Sequence, residues 1–420
     1  MRPLRGAPPG EREGAAGVKI LVVVSEFPKL TETFVYRNIA EYRRAGHGVR
    51  LFYAKKHFPQ ELVHGFARET ADSAFTFGFL APQSLLALGR EVVRHPVRQI
   101  RLWKILARSH RHEIGRGLRS FAVLPKSVAL GHWCRSQGID HIHAEFAGFP
   151  ATVAMIAARV SGVPFSFSAH ANDIFVSQAL LPEKAAEARF VRAISRYNID
   201  WLGRLPSFPA DRLRLIHCGV PRALLEAPEP DPPGSGPLNV LYVGSLIEKK
   251  GVFHLLEALA QLRDRMPLRC RIIGRGDLEG AMRQAAERLG LNGIVTFDGP
   301  KDAEEVRAAY GWAHAVVVPS VVGAGGRVEG IPVVAMEALA HARPLVASRL
   351  SGIPELVEDG VTGWLTEPGD AAGIARALAA IREDWPRAVT LARAGRDRVR
   401  AEYLIEDNAA ELLRAIEEAA

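Results

Sequence analysis

Short runs of β-branched and apolar residues recur along the chain, and most are followed by a stretch in which apolar positions return every three or four residues. In the first half KILVVV, VRLFYA, DHIHAEF and VPFSFSAH read as strands, and TFVYRNIAEYRRAG and TVAMIAARVSG as helices. In the second half NVLYVG, CRIIG, GIVTFDG, AVVVPS and RPLVAS are short strands separated by helical stretches such as VFHLLEALAQLRD. Strands apolar on both faces and alternating with helices belong to parallel sheets. The pattern therefore predicts an α/β protein with two α/β halves. Between them APEPDPPGSGP, 227–237, carries five prolines and two glycines in eleven residues, a composition that cannot form a core and reads as an interdomain hinge. Residues 1–17, rich in Gly, Pro and charge, read as a disordered leader. The domains are then 18–226 and 238–384, with a helical tail over 385–420.

A chain of 420 residues is too long for one ordinary core and suits two. The longest apolar runs, such as ILVVV, fall far short of the 18 or so residues of a membrane span, and no apolar block marks a secretory signal. Cys134, Cys218 and Cys270 are odd in number and widely spaced, which argues against a disulfide framework or a zinc site and suits a reducing cytoplasm. The formal net charge is +8, and residues 90–119 alone hold nine Lys or Arg against two Glu. There Arg90, Arg94, Arg98, Arg101, Lys104, Arg108 and Arg111 recur at helical steps, with Pro96 dividing the stretch into two helices. Such a face suits an anionic membrane surface, with Arg94, Arg98, Arg101 and Trp103 as its contacts; a solvated face over a core stripe is the alternative. Nucleic acid is not expected, because aromatic interleaving and any known binding motif are absent.

The most informative stretch is EGIPVVAMEAL, 329–339, where Glu329 and Glu337 bracket Pro332 at the start of a helix. Ahead of it, VVGAGGR lets backbone amides approach a ligand, and the helix start adds a partial positive charge that suits phosphate. Amides for phosphate and carboxylates for hydroxyls fit a sugar nucleotide. Lys250 precedes Gly251 at a turn from strand to helix, so its ammonium and a helix N-terminus can converge on one diphosphate. GRGDLEG, 274–280, is no dinucleotide fingerprint, because Glu279 stands at the third glycine position.

The order of these motifs resembles the retaining glycosyltransferases of family 4, whose GT-B fold sets two Rossmann-like domains with parallel sheets across a deep interdomain cleft. The resemblance is carried by the E-x7-E spacing of Glu329 and Glu337, by VLYVGSLIEKKGVFHLLEAL at 240–259, IIGRGDLE at 272–279 and SGIPELVEDGVTGWLTEPGD at 351–370. SEFPKLTETF, DHIHAEFAG and VPFSFSAHANDIF resemble the branch that builds colanic-acid-type exopolysaccharides, and the likeness covers roughly 18–380. It implies transfer of a hexose, with retention, from a nucleoside-diphosphate sugar to a glycan acceptor, polyprenyl-linked or free, in exopolysaccharide or cell-surface polysaccharide synthesis. No metal and no cofactor beyond the donor are implied, and the place of action is the cytoplasm, peripheral on the inner face of the cell membrane.

Residue by residue, the resemblance gives Glu329, His170 and Lys250 catalytic roles. Gly244, Ser245, Gly274, Gly276, Gly330, Ile331, Val333 and Glu337 join Glu329 and Lys250 in holding the donor, Glu337 on the ribose and the amides of Gly330, Ile331 and Val333 on sugar and phosphate. Thr31, His143, Glu145 and Asp173 fall on the acceptor side, His141, His143 and Glu145 sharing one strand face as a polar wall; Asp173 can instead orient His170 or cap a helix. The family has an arginine where Ser245 stands, and Lys249 is expected to point elsewhere. A noncatalytic glycan- or nucleotide-binding subunit and a GT-B epimerase are the alternatives.

Overall fold

The computed structural model describes residues 17–27, 33–55, 70, 73–79, 81–109 and 113–420. The leader, apart from its last residue, and also Thr31 and Arg111, lie outside the described residues.

Among the described residues twelve strands form two six-stranded sheets, each strand pairing parallel. The first contains β1 (Lys19–Val24), β2 (Gly48–Tyr53), β3 (His141–Glu145), β4 (Phe165–Ala169), β5 (Val191–Ala193) and β6 (Leu213–Leu215), in the order β2-β1-β3-β4-β5-β6. The second contains β7 (Leu238–Val243), β8 (Leu268–Ile273), β9 (Val295–Gly299), β10 (Ala315–Val318), β11 (Leu345–Ser348) and β12 (Trp364–Thr366), in the order β12-β11-β10-β7-β8-β9. Each order reverses once, between β1 and β3 and between β7 and β10, and such switch points open crevices at the carboxyl ends of the strands. The loops after β3, β4, β7 and β10 hold most of the residues singled out above.

Burial explains why these runs form strands. Ile20 to Val24 are at most 2% exposed, so both faces of β1 are covered, as a central parallel strand requires. The helix Phe149–Ser161 buries eleven of its thirteen residues, because it is packed between the first sheet and the helix Leu124–Gln137. The three-residue strands β5, β6 and β12 lack a periodic signature of their own and are defined by their neighbours.

The Pro-rich segment is not where the chain changes domain, which corrects the hinge expected at 227–237. Arg343, Arg382, Arg393 and Arg396 pin it to the second domain through the carbonyls of Pro228, Gly236 and Ala227 and the Glu229 carboxylate. Proline and glycine remove core side chains but leave carbonyl acceptors, and arginine forks satisfy them. The crossing lies upstream, where Val220 pairs with Leu404 through Val220 N–H to Tyr403 O and Ile405 N–H to Val220 O. Beyond it the last helix, Ile405–Ala419, packs Leu412, Leu413 and Ile416 against Ile39, Tyr42 and Ile20 of the first domain.

Candidate active site

Glu329 sits in the loop before the helix Val333–Ala340, its side chain only 10% exposed. Lys250 Nζ donates to its Oε2 at 2.6 Å, and Lys249 Nζ bonds its other oxygen. Burial would raise this carboxyl, but Lys250 and then Lys249 outweigh burial and hold it at about 2, so it is ionised at any ordinary pH. Lys249 therefore does not point elsewhere: the 3-10 turn Glu248–Lys250 aims both ammoniums at one carboxylate. A Cβ on Gly251, which follows at φ +64°, would lie 1.8 Å from Pro319 O, so only glycine lets this loop pass so close to the end of β10.

Eight residues on, Glu337 lies on the helix with Tyr310 Oη donating to Oε2 at 3.2 Å and Arg37 Nη2 3.6 Å from Oε1. Burial raises this carboxyl, and Arg37 and Tyr310 only partly offset that. Tyr310 stacks on His341, whose Nδ1–H donates to Glu337 O, so the aromatic pair fixes the helix behind the carboxylate. Pro332 precedes the first helical residue, and among the described residues no side chain caps this N-terminus. Ser245 is half-buried and its carbonyl accepts from Tyr242 Oη at 3.0 Å, while Gly274 and Gly276 bring their loop onto the carbonyls of Gly244 and Leu246.

The main chain of His170, at the end of β4, approaches this loop from the first domain. A Cβ on Gly330 would lie 3.0 Å from Ile194 and 3.9 Å from His170 O, so the residue after Glu329 touches the first domain directly. The imidazole lies beside the rings of Phe34 and Phe146, centroids 4.8 and 4.7 Å away, and its Nε2 is 3.2 Å from Glu145 Oε2.

His143 and Glu145 are at most 1% exposed and line no acceptor wall, a correction to the sequence expectation. The shared strand face is real, but it is covered by the helix Thr33–Arg44, and Ser166 and Ser168 of β4 bond His141 and His143. Burial holds these two imidazoles at about 3 and about 4, hence neutral. Asp173 spends its carboxylate on the amides of Ala147, His170 and Ala171; it clasps the turn after β3 to the turn after β4 and neither orients the His170 ring nor faces an acceptor. Among the described residues no group of three or more His, Cys, Asp or Glu is arranged to hold a metal ion.

Against this geometry, a profile of the family described as "Glycosyl transferases group 1" matches residues 237–384, the domain that carries both glutamates and both lysines. A GDP-mannose-dependent alpha-(1-6)-phosphatidylinositol monomannoside mannosyltransferase of Mycolicibacterium smegmatis is 30% identical over 65% of this chain and 76% of its own length. The chain belongs to the group 1 glycosyltransferases. The putative colanic acid biosynthesis glycosyltransferase WcaL of Salmonella typhimurium is 29% identical over 86% of this chain and 90% of its own. Anabaena HepE, whose crystal structure is in complex with UDP, superposes with a TM-score of 0.72 over 96% of this chain and all of its own, at 18% identity. That likeness shows the GT-B fold, and the resemblance read from the motifs holds.

In this glycosyltransferase sequence reasoning missed Arg37 and Tyr310. A signal for the first domain's contribution did exist: Phe34, Asn38 and Tyr42, spaced by four, put an aromatic and polar stripe on the buried face of one helix, where an ordinary core stripe would be aliphatic.

The basic stretch folds into the helices Pro82–Arg94, Pro96–Ser109 and Ile114–Ala122, divided at Pro96 as expected. Among the described residues nine of the twelve exposed large apolar side chains lie here: Phe79, Leu85, Leu86, Val93, Val97, Ile100, Trp103, Ile114 and Leu118, with Arg90, Arg94, Arg101, Lys104 and Arg108 exposed among them. Arg98 departs from the predicted contact set, because it is drawn inward onto Glu91 and the Arg159 carbonyl. No helix among the described residues is long and apolar enough to cross a membrane.

Proposed function

We propose that the chain transfers a hexose, with retention, from a nucleoside-diphosphate sugar to a lipid-linked glycan during exopolysaccharide synthesis. The observation that carries this is an ionised Glu329 held by two lysines in the loop leading into the helix of Glu337, where Gly330 meets the His170 main chain of the other domain. Glu337 accepts from the ribose hydroxyls; Glu329 holds the hydroxyls of the transferring sugar and steadies positive charge that grows at its anomeric carbon. Lys249, Lys250 and the amides at the start of the helix Val333–Ala340 stabilise the leaving diphosphate. The diphosphate takes the acceptor proton as the acceptor oxygen attacks from the face it leaves. Closure of the domains about the Val220–Leu404 crossing excludes water and limits donor hydrolysis.

The exposed arginines and apolar side chains of residues 79–118 support a second part of this reading, attachment to the anionic inner face of the cell membrane, where a lipid-linked acceptor is found. Each basic side chain near such a surface contributes up to about 1 kcal/mol.

The test is a panel of sugar nucleotides, with acceptor-dependent diphosphate release and product mass read together, the new linkage assigned by NMR, and EDTA added in parallel. Transfer with an unchanged anomeric configuration and no effect of EDTA is expected. Binding without release would make the chain a noncatalytic subunit, donor conversion without acceptor an epimerase, and a metal-restorable loss would overturn the metal-free mechanism.

A further inference from the structure

We propose that Glu145 is the positioning residue that keeps His170 an imidazolium, so that the first domain faces the donor with a fixed cation instead of a base. The proposal rests on the reading of His170 as the group that meets the donor sugar. Among the described residues six charged or titratable groups surround that ring.

From β3 come Glu145, 3.2 Å away and 1% exposed, and His143; from β5 Arg192, 3.9 Å from Glu145; from the segment after β6 Cys218; from the helix Thr33–Arg44 Tyr42; and from the turn after β4 Asp173, on the His170 amide. His143 is satisfied on both ring nitrogens by serine hydroxyls and stays neutral. Arg192 spends Nε and Nη2 on the carbonyls of Ile216 and His217. That leaves Glu145 as the carboxylate bonded to His170, and a thiol such as Cys218 is a weak acceptor by comparison. Two cations, Arg192 and His170, then share one carboxylate, and the buried cluster carries a net positive charge.

The titration of the groups agrees with the geometry. Burial alone would lower the His170 imidazole, but its contact with Cys218 and its bond to Glu145 push it up to about 10. Glu145, also raised by burial, is held well below the carboxylate range by its bond to His170 and by Arg192. A group raised in this way is charged below its folded value, so the direction keeps His170 charged through neutral pH.

Two features place the ring with care. The rings of Phe34 and Phe146, 6.1 Å from each other, lie against it on adjacent sides and limit how it can turn. Phe146 reaches it from a backbone at φ +87°, a conformation rare for a bulky residue. That turn is held by Asp173 on the Ala147 amide and by the Lys184 ammonium on the carbonyls of Ala147 and Gly148. A cation here, one residue from the contact with Gly330, stabilises negative charge as it collects on the leaving diphosphate; a neutral imidazole at the same place would not.

The experiment labels the histidines of the full chain and follows the His170 ring by NMR against pH, in wild type and in Glu145→Gln, Glu145→Asp and Cys218→Ala. Wild-type His170 should remain protonated past pH 8. Glu145→Gln should move its titration down by at least ~1–3 units, the effect of removing a neighbouring opposite charge, while Glu145→Asp restores most of it and Cys218→Ala changes it less. The alkaline limb of kcat against pH should shift with the ring in Glu145→Gln, with the donor KM little changed. A wild-type ring that titrates near 6.5 would overturn the proposal, and so would a shift caused by Cys218→Ala and not by Glu145→Gln. Loss of activity with the limb unmoved would make Glu145 a packing residue. The NMR arm needs no turnover, so it stands or falls separately from the assignment of the reaction.

Discussion

The sharpest expectation concerns Lys249, which the sequence expects to point elsewhere and the structure turns onto Glu329. Glu329 is held about two units below the ordinary carboxylate value although burial opposes this, and a unit corresponds to about 1.4 kcal/mol. The net coupling of the carboxylate to its surroundings is therefore about 3 kcal/mol, and the gross attraction is larger because it first overcomes burial. Lys250 supplies the larger share and Lys249 the next. Exposed ion pairs usually give about 0.2–1 kcal/mol. A double-mutant cycle of Lys249→Met and Glu329→Gln, read by urea denaturation at pH 7, should return a coupling above about 1 kcal/mol. The folded carboxyl lies below its unfolded value, so this stability is full above about pH 4.3 and fades as pH falls toward 2. The coupling should shrink in the same window. A coupling below about 0.3 kcal/mol, or one that does not change with pH, would refute the two-lysine clamp and return Lys249 to solvent.

Three further outcomes follow from the same geometry. Glu337→Ala should weaken nucleoside-diphosphate binding by about 1.5–3 kcal/mol, the range of a hydrogen bond to a charged group, with the fold retained; unchanged affinity in calorimetry would remove the ribose assignment. Ser245→Arg adds a cation beside a site that already has Lys249 and Lys250, so donor affinity should rise modestly and become more salt-sensitive, whereas a loss of affinity without unfolding would mean that the half-buried position has no room for it. Changing the exposed Arg94, Arg101 and Lys104 together to Glu should abolish binding to anionic vesicles and leave nucleotide binding intact, while Arg98→Glu should instead destabilise the fold through Glu91; equal vesicle binding by wild type and the triple variant would end the membrane reading.

What could be read from the sequence separates along a physical line. The longer strands were legible because burial on both faces demands an unbroken apolar run, and KILVVV or AVVVPS can satisfy no other environment so well. The loops were legible because close approach and anion binding demand glycine and helix starts at fixed places. β5, β6 and β12 were not legible, since three residues are fewer than any periodicity needs and their pairing depends on neighbours far along the chain. The hinge was misplaced for a related reason. Composition reports what a segment cannot bury, and the segment 227–237 indeed buries little, yet its carbonyls are held by arginines more than a hundred residues away.

The site itself divides in the same way. Glu329 and Glu337 could be named because their spacing is local, one loop and one helix, and Lys250 because it stands at a strand-to-helix turn of its own. Arg37 could not, since its contact with Glu337 spans 300 positions and exists only where the two domains meet. The face of β3 shows the limit most clearly. Alternation correctly put His141, His143 and Glu145 on one side, but alternation is blind to what covers that side. The cover is the helix Thr33–Arg44, and beneath it the three residues change character: two imidazoles become neutral and bonded to serines, and the carboxylate turns to His170. A polar residue on a strand face is a surface ligand or a buried partner according to whether a helix lies over it. In the sequence that difference is written in the helix, where Phe34, Asn38 and Tyr42 replace the aliphatic stripe that a plain core would call for.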